Sequence, residues 1–475
     1  MSKLLSLPSV LGALIVSAMT FTLIGCSNSV PREPVDLASL EVPEQWQSAS
    51  SSPSANRSAT VRHPLEQSQQ TRWIYQFNDL SLVELVQTAL EKNPSLLAKA
   101  AQVKQSEQSV KIAGASVYPS LDLTASTRRV ESSNVSTTTN SLSLEARYEL
   151  DLWGKLSAQE QQANYTYAAT KTSFAGATLD LSADVASAWY RLILQQELLL
   201  LSQQREDTLS NALSVVQQAY QRGLKTAIDL NSAQAALQQE RANIAQQKQT
   251  LTEQVRVLQQ LLGRYPDGNT QLAKGLQLPV LPDFKTKTLP SELISRQPIL
   301  QTAWLTLLAA DASMAMANKA RFPSLVLSAS VDQNIDWNLI ASLTQPLFNA
   351  GKLAAAEVQA GAKVQQLEKE YLQKLFAAFA EVENALMSET SLQHRYQLAE
   401  ENLNNARQTT AIQLSQYQLG QIELNQLLSS QKTMIDSQAS LLELQHQRLQ
   451  NRIRLYKALG GQFSNSSERE QSETL

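Results

Sequence analysis

The sequence predicts a mainly α chain with two β-hairpins, four strands in all, and three observations predict it. Proline is absent between Pro119 and Pro266 and again after Pro346, the chain repeats itself once, and before each long proline-free stretch the hydrophobic period falls from about 3.5 to 2. Only 14 Gly and 15 Pro punctuate 475 residues rich in Gln, Ala, Leu and Ser, a composition suited to extended helices. At 43% hydrophobic the chain can bury a core, which excludes a disordered polymer. A formal net charge of -3 leaves no basic surface for nucleic acid. One cysteine excludes an internal disulfide and a CxxC metal site.

The N-terminus is a targeting segment. Lys3 precedes the apolar run Leu11 to Ile24, too short to span a bilayer comfortably but suited to a signal-peptide core. The run ends in Leu23-Ile24-Gly25-Cys26, which looks like a bacterial lipobox, so residues 1–25 are expected to be removed and Cys26 lipidated. By resemblance to lipoprotein sorting, Ser27 after the cysteine favours the outer membrane. Several acyl chains on one cysteine anchor stably, where a single chain binds only marginally. Residues 26–77 read as a lipidated, mostly extended tail, with Trp46 and Trp73-Ile74-Tyr75 as packing contacts within it.

The duplication organises the rest. Asn93-Pro94-Ser95-Leu96 recurs as Gln297-Pro298-Ile299-Leu300, and Tyr118-Pro119-Ser120-Leu121 as Phe322-Pro323-Ser324-Leu325, both at an offset of 204. Gly154-Lys155-Leu156 recurs as Gly351-Lys352-Leu353, Tyr220 and Gly223 as Tyr417 and Gly420, and Leu262-Gly263 as Leu459-Gly460, all at an offset of 197. The first copy therefore holds seven extra residues between Pro119 and Gly154, where a hairpin loop absorbs length at low cost. The repeats span 78–275 and 276–461, followed by a polar tail, 462–475.

Each repeat predicts a β-hairpin, about 119–152 and 323–347, then a long helix and a return helix. Leu121, Leu123 and Ala125 alternate with polar residues, as do Leu142, Leu144, Ala146, Tyr148 and Leu150. In the second copy Leu325, Leu327, Ala329 and Val331 pair with Trp337, Leu339, Ala341 and Leu343. A soluble sheet packed on a helix shares this pattern. Four strands cannot close a barrel and an open edge cannot sit in lipid, so closure needs several copies. Two chains give eight strands and a filled interior; three give twelve and a lumen, which charged inner faces favour. Gly154 to Arg222 is long enough for one helix of about 100 Å, and its counterpart runs from about Lys352 to Leu419. Leu237, Ile244, Leu251 and Leu258, then Leu428, Ile435, Leu442, Leu449 and Tyr456, keep a seven-residue period that implies left-handed supercoiling.

Lipobox, duplication, hairpins and long helices together resemble the TolC-like outer membrane factors, and the lipoprotein efflux channels in particular. The most specific signals are Tyr220-Gln221-Arg222-Gly223-Leu224 with Asp229-Leu230, and Tyr417-Gln418-Leu419-Gly420 with Leu427-Leu428. The resemblance implies a homotrimer with a 12-stranded barrel in outer membrane lipid and a helical coiled-coil tunnel through the periplasm. It also implies a periplasmic adaptor protein and, through it, an inner-membrane pump, with small molecules exported. The tips that meet the adaptor would be Gly223 and Leu224, and Gly420 and Gln421. Glycine has a direct reason there, since a helix that ends in a left-handed residue turns back most easily on Gly.

The family often carries acidic rings after the second tip. The matching positions here are Gln426 and Ser429, both uncharged; the first repeat keeps Asp229 at the place of Gln426, and Asp229, Tyr417, Gln426 and Ser429 are the candidate gate positions. Asp229 also suits a helix start capped by Thr226, and both roles stand at the level of sequence. His63, His394 and His446 have no zinc-ligand spacing, and no phosphate loop or nucleophile elbow occurs, so neither an enzyme nor a cofactor beyond lipid on Cys26 is expected. The alternatives are a conduit for protein secretion and an adaptor lipoprotein; the adaptor would need a lipoyl-like β domain that the chain does not read as having.

Overall fold

Both repeats fold into the same series of helices and strands, and three of the helix pairs match in length. The structure is a computed structural model that describes residue 46 and residues 69–132, 135–268, 276–281 and 290–461. The signal peptide, Cys26, most of the tail and residues 462–475 lie outside the described residues.

A 3-10 helix, Gln69–Phe77, leads into α1 (Leu80–Lys92), α2 (Pro94–Ala115), β1 (Ser120–Ser132), β2 (Val135–Leu150), α3 (Lys155–Gln221) and α4 (Ala227–Leu261). The second series is α5 (Pro290–Arg296), α6 (Pro298–Lys319), β3 (Ser324–Asp332), β4 (Trp337–Thr344), α7 (Lys352–Gln418) and α8 (Leu424–Ala458). The pairs α2/α6, α3/α7 and α4/α8 have 22, 67 and 35 residues in both copies. Each 67-residue helix is about 100 Å long at 1.5 Å per residue. The hairpins differ: β1 and β2 have 13 and 16 residues, β3 and β4 only 9 and 8. The extra length of the first copy therefore lies in its hairpin, where strands rather than loop take most of it up.

Two compact units emerge. One comprises Gln105–Ala168 and Trp304–Glu370; the other comprises the described residues of Leu37–Lys104, Ala169–Ala303 and Tyr371–Leu475. In the first, the four strands form one antiparallel sheet in the order β1-β2-β3-β4. Trp153 follows β2, stacks on Phe322 at 5.2 Å and donates to the Pro323 carbonyl, which fixes the end of the sheet. Glu357 on α7 accepts from Asn318 at 2.7 Å and pairs with Arg321 at 2.6 Å, tying the C-terminal end of α6 to the start of α7.

The second unit is helical. Its core gathers Trp73, Phe77, Tyr190, Leu192, Ile193, Leu258, Leu449 and Tyr456. Phe77 lies 5.5 Å from the Tyr190 ring and edge-on to Tyr456 at 5.8 Å, distances at which aromatic pairs attract beyond their burial. The end of the tail, expected to be mostly extended, is here the 3-10 helix Gln69–Phe77, because it buries Trp73, Ile74 and Phe77 on one side. Asp79 caps α1 through Leu82 N–H and accepts from Trp189 Nε1 at 2.8 Å, so one carboxylate starts a helix and satisfies a buried indole. Trp46 also packs, against Phe379 at 6.1 Å.

The seven-residue seam of α4 is buried at Leu237, Ile244 and Leu258; that of α8 is buried at Leu449 and Tyr456 and half-buried at Leu428, Ile435 and Leu442. His446 lies beside it on α8, hydrogen-bonded to Gln450 at 3.0 Å, and burial together with the Arg191 cation pushes its pKa down to about 4. The native state thus resists a proton that the unfolded chain takes up near pH 6.5, so His446 adds stability above that pH which is lost as pH falls toward 4. The melting temperature should drop across this window, and His446→Gln should flatten that dependence. An unchanged slope in the variant would remove His446 as its source.

Candidate functional site

The sheet is built so that the four strands present mainly apolar side chains to one side and mainly polar ones to the other. Register aligns Leu123, Leu144, Val331 and Trp337 in one row across it, and Leu121, Ala146, Ala329 and Leu339 in the next. The opposite face carries the rows Asp122, Glu145, Ser330 and Asn338, and Ser120, Arg147, Ser328 and Ile340. Period-2 alternation thus survives across strands because every pairing preserves facing parity. On β2 the apolar band runs from Leu142 to Leu150, about 26 Å along the strand, which suits a tilted strand crossing hydrocarbon.

This apolar face is open in the single chain: Leu123 is 69% and Trp337 79% exposed. A contiguous exposed apolar face marks a membrane or partner surface. β1 and β4 are its edges, each with one side unpaired. α6 is the one described helix apolar and long enough to cross a membrane by composition. Its repeat counterpart α2 carries Lys99, Lys104 and Lys111, so the pair reads as a repeated structural helix.

The tips are the turns between α3 and α4 and between α7 and α8. Gly223 and Gly420 have φ of +72° and +71°. Gly223 N–H donates to the Tyr220 carbonyl and Leu224 N–H to that of Ala219; Gly420 and Gln421 do the same to Tyr417 and Gln416. These paired bonds satisfy the last carbonyls of each long helix, the Schellman arrangement that glycine permits. Leu224 and Gln421 are exposed and Tyr417 is half-buried.

Beyond the first tip the expected cap is present. Thr226 and Asp229 form a reciprocal capping box: the Thr226 side chain accepts from Asp229 N–H at 3.3 Å, and Asp229 accepts from Thr226 N–H at 3.0 Å. The hydrogen bonds from the Thr226 backbone and hydroxyl, helped by the Lys225 cation, hold the Asp229 carboxyl below its usual range. The second tip lacks this box. Glu423 is the N-cap of α8 but makes no side-chain cap bond, and it lies 3.9 Å from Lys225 of the first tip. Gln426 and Ser429 are exposed and uncharged, so the four candidate gate positions contribute one acid, engaged in a cap.

The contacts between helices of a charge network here were not legible in the sequence. Arg205 on α3 reaches Glu240 on α4 at 3.4 Å and Asp436 on α8 at 3.8 Å, and Lys432 holds Asp436 at 2.5 Å. Glu240 is buried, so Arg205 supplies its compensating charge. A second pair, Arg452 and Glu389 at 2.5 Å, links α8 and α7, with Arg452 buried and Glu389 partly so. No group of three or more His, Cys, Asp or Glu side chains suited to a metal occurs among the described residues.

Comparison with known proteins agrees with this geometry. The family model described as "Outer membrane efflux protein" matches residues 85–264 and 289–461, one segment in each repeat. The chain is 29% identical over 468 residues to the pyoverdine export outer membrane protein OpmQ of Pseudomonas aeruginosa, covering 92% of this chain and 94% of that one. It is 26% identical over 411 residues to the cation efflux system protein CusC of Escherichia coli K12, covering 83% and 89%. The open-state crystal structure of the Neisseria gonorrhoeae MtrE outer membrane channel superposes with a TM-score of 0.76 at 24% identity, over 88% of this chain and 95% of that one. The chain belongs to the outer membrane efflux protein family, channels of the bacterial outer membrane that serve tripartite efflux systems.

Proposed function

We propose that three copies of this chain close their sheets into one 12-stranded barrel and form a passive conduit that carries small molecules to the exterior. The carrying observation is the four-stranded sheet with one apolar and one polar face and two unpaired edges. In lipid those edges must be paired, and joining β1 of one copy to β4 of the next pairs all of them. Twelve strands leave a lumen where eight would be filled by side chains. The chain supplies no catalytic group to this task; it offers a wet wall, and a partner across the periplasm drives the flux.

Lipid on Cys26 fits this reading, since anchoring would hold the chain at the membrane while three copies meet. The tips are the natural docking points for an adaptor and, through it, an inner-membrane pump: their turns leave Leu224 and Gln421 exposed. Asp229, with Tyr417, Gln426 and Ser429 near the same turns, would contribute three carboxylates to a trimer, one per chain.

Replacing both tip glycines by valine tests the docking claim. A β-branched residue is strained at φ near +70°, so both turns should distort. Drug resistance and crosslinking from position 224 to an adaptor should fall, with barrel assembly at wild-type level. Full resistance in the double variant would place the docking surface elsewhere.

A further inference from the structure

The first hairpin outgrows the rest of the sheet. β2 pairs with β3 only from Ser143 to Leu150, so the strands above that level, to Ser132 and from Val135, form a ribbon of two strands alone. Ala125 opposite Leu142 is the last apolar pair on the outward face. Above it the outward face turns polar: Thr127, Arg129 and Glu131 continue that side of β1, with Asn140, Thr138 and Ser136 opposite them on β2. Arg128 lies on the other side, paired with Thr139. This is where the repeats differ, and neither contact with hydrocarbon nor adaptor docking explains a basic residue there.

Arg129 stands four residues beyond Ala125, about 13 Å along the strand and about 10 Å along the membrane normal for a strand tilted near 40°. The headgroup layer extends about 5–7 Å beyond the hydrocarbon. A guanidinium on a flexible stem reaches back over that difference, as arginines near membrane boundaries do. Arg129 is exposed and has no ion-pair partner among the described residues. The hydroxyl of Thr138 is directly opposite it. Glu131, one step further out on the same face, repels anions above and leaves the membrane side as the favourable direction for a phosphate.

We propose that the outward face of this ribbon binds the phosphate of anionic lipid headgroups in the outer leaflet, with Arg129 as the charged contact. Planar, bidentate pairing of guanidinium with phosphate suits arginine at this place. The ribbon thereby gains a support that an isolated pair of strands lacks in water. The inference rests on the barrel reading above, which sets which face meets lipid.

The test uses the full chain reconstituted in nanodiscs of phosphatidylglycerol and phosphatidylcholine, with lipid retention followed by native mass spectrometry. Wild-type oligomer should retain phosphatidylglycerol selectively, and Arg129→Ala should weaken that retention about fivefold, the effect of one basic residue near an anionic surface. Arg128→Ala, on the lumen side, should leave it unchanged. Retention unaffected by Arg129→Ala, or lowered equally by Arg128→Ala, overturns the proposal. Displacement by millimolar inorganic phosphate also overturns it, since that would show a free-anion site. Failure of the wild-type chain to insert as an oligomer would instead overturn the barrel reading; insertion with unselective lipid retention defeats only the headgroup proposal.

Discussion

Arginine at position 144 is expected to destabilise the membrane-inserted state by about 2 kcal/mol or more, whereas arginine at position 143 should be mild. A charge on the lipid face of a barrel costs about 2–4 kcal/mol at the midplane and less toward the interfaces. The β2 band runs from Leu142 to Leu150, so Leu144 lies one side-chain step from its centre, and its row neighbours Leu123, Val331 and Trp337 offer no counter-charge. Ser143 faces the other way, between Thr124 and Asp332, where an added cation meets a carboxylate. Refolding into lipid vesicles at graded urea concentrations reads the difference directly. Equal tolerance at both positions would mean that the faces are reversed or that this sheet does not enter lipid.

Sequence reading succeeded where the cause is local or repeated. Alternation along each strand is enough to assign the faces, and pairing by even steps then carries the assignment across the sheet, so Leu325 meets Leu343 and Val331 meets Trp337 as the pattern requires. Gly223 and Gly420 announce their turns because few other residues accept a left-handed helix end at low cost. Thr226 with Asp229 announces a cap because both partners lie within one helical turn. A change of offset showed that residues were added in the first hairpin, but an offset says nothing of how strands absorb them, so the lone ribbon could not be foreseen.

What stayed hidden depends on partners distant in sequence. Arg205 meets Glu240 and Asp436 from three different helices, and no spacing rule links such positions. Asp436 has one partner that helix spacing does announce, Lys432 four residues before it, and one that it does not, Arg205 on α3. The 3-10 helix before α1 is invisible to composition because its Ser- and Gln-rich approach resembles an unfolded tail; only the core that receives Trp73, Ile74 and Phe77 explains its order.

The constant offset between the two repeats also isolates one largely buried pair for a second large effect. Glu389 on α7 and Arg452 on α8 pair at 2.5 Å, while Asn451 donates to the other Glu389 oxygen at 3.0 Å. The corresponding positions of the first repeat, 197 residues earlier, are Leu192 and Val255, both in the apolar core. Glu389→Ala leaves Arg452, only 2% exposed, without its carboxylate, and should destabilise by about 3–5 kcal/mol. Arg452→Val should cost less, because the Glu389 side chain keeps some contact with water at 13% exposure. The double change Glu389→Leu with Arg452→Val copies the first repeat, and apolar replacement of a whole buried pair is often neutral or stabilising. Denaturation of the purified protein in detergent should therefore place the double variant near wild type and both single variants below it, a strongly non-additive cycle. A double variant as unstable as Glu389→Ala would show that the carboxylate is needed beyond neutralising Arg452, with its bond to Asn451 as the remaining candidate. A stable double variant would mean instead that apolar packing at these two positions serves the second repeat as Leu192 and Val255 serve the first, so that the ion pair adds no net stability.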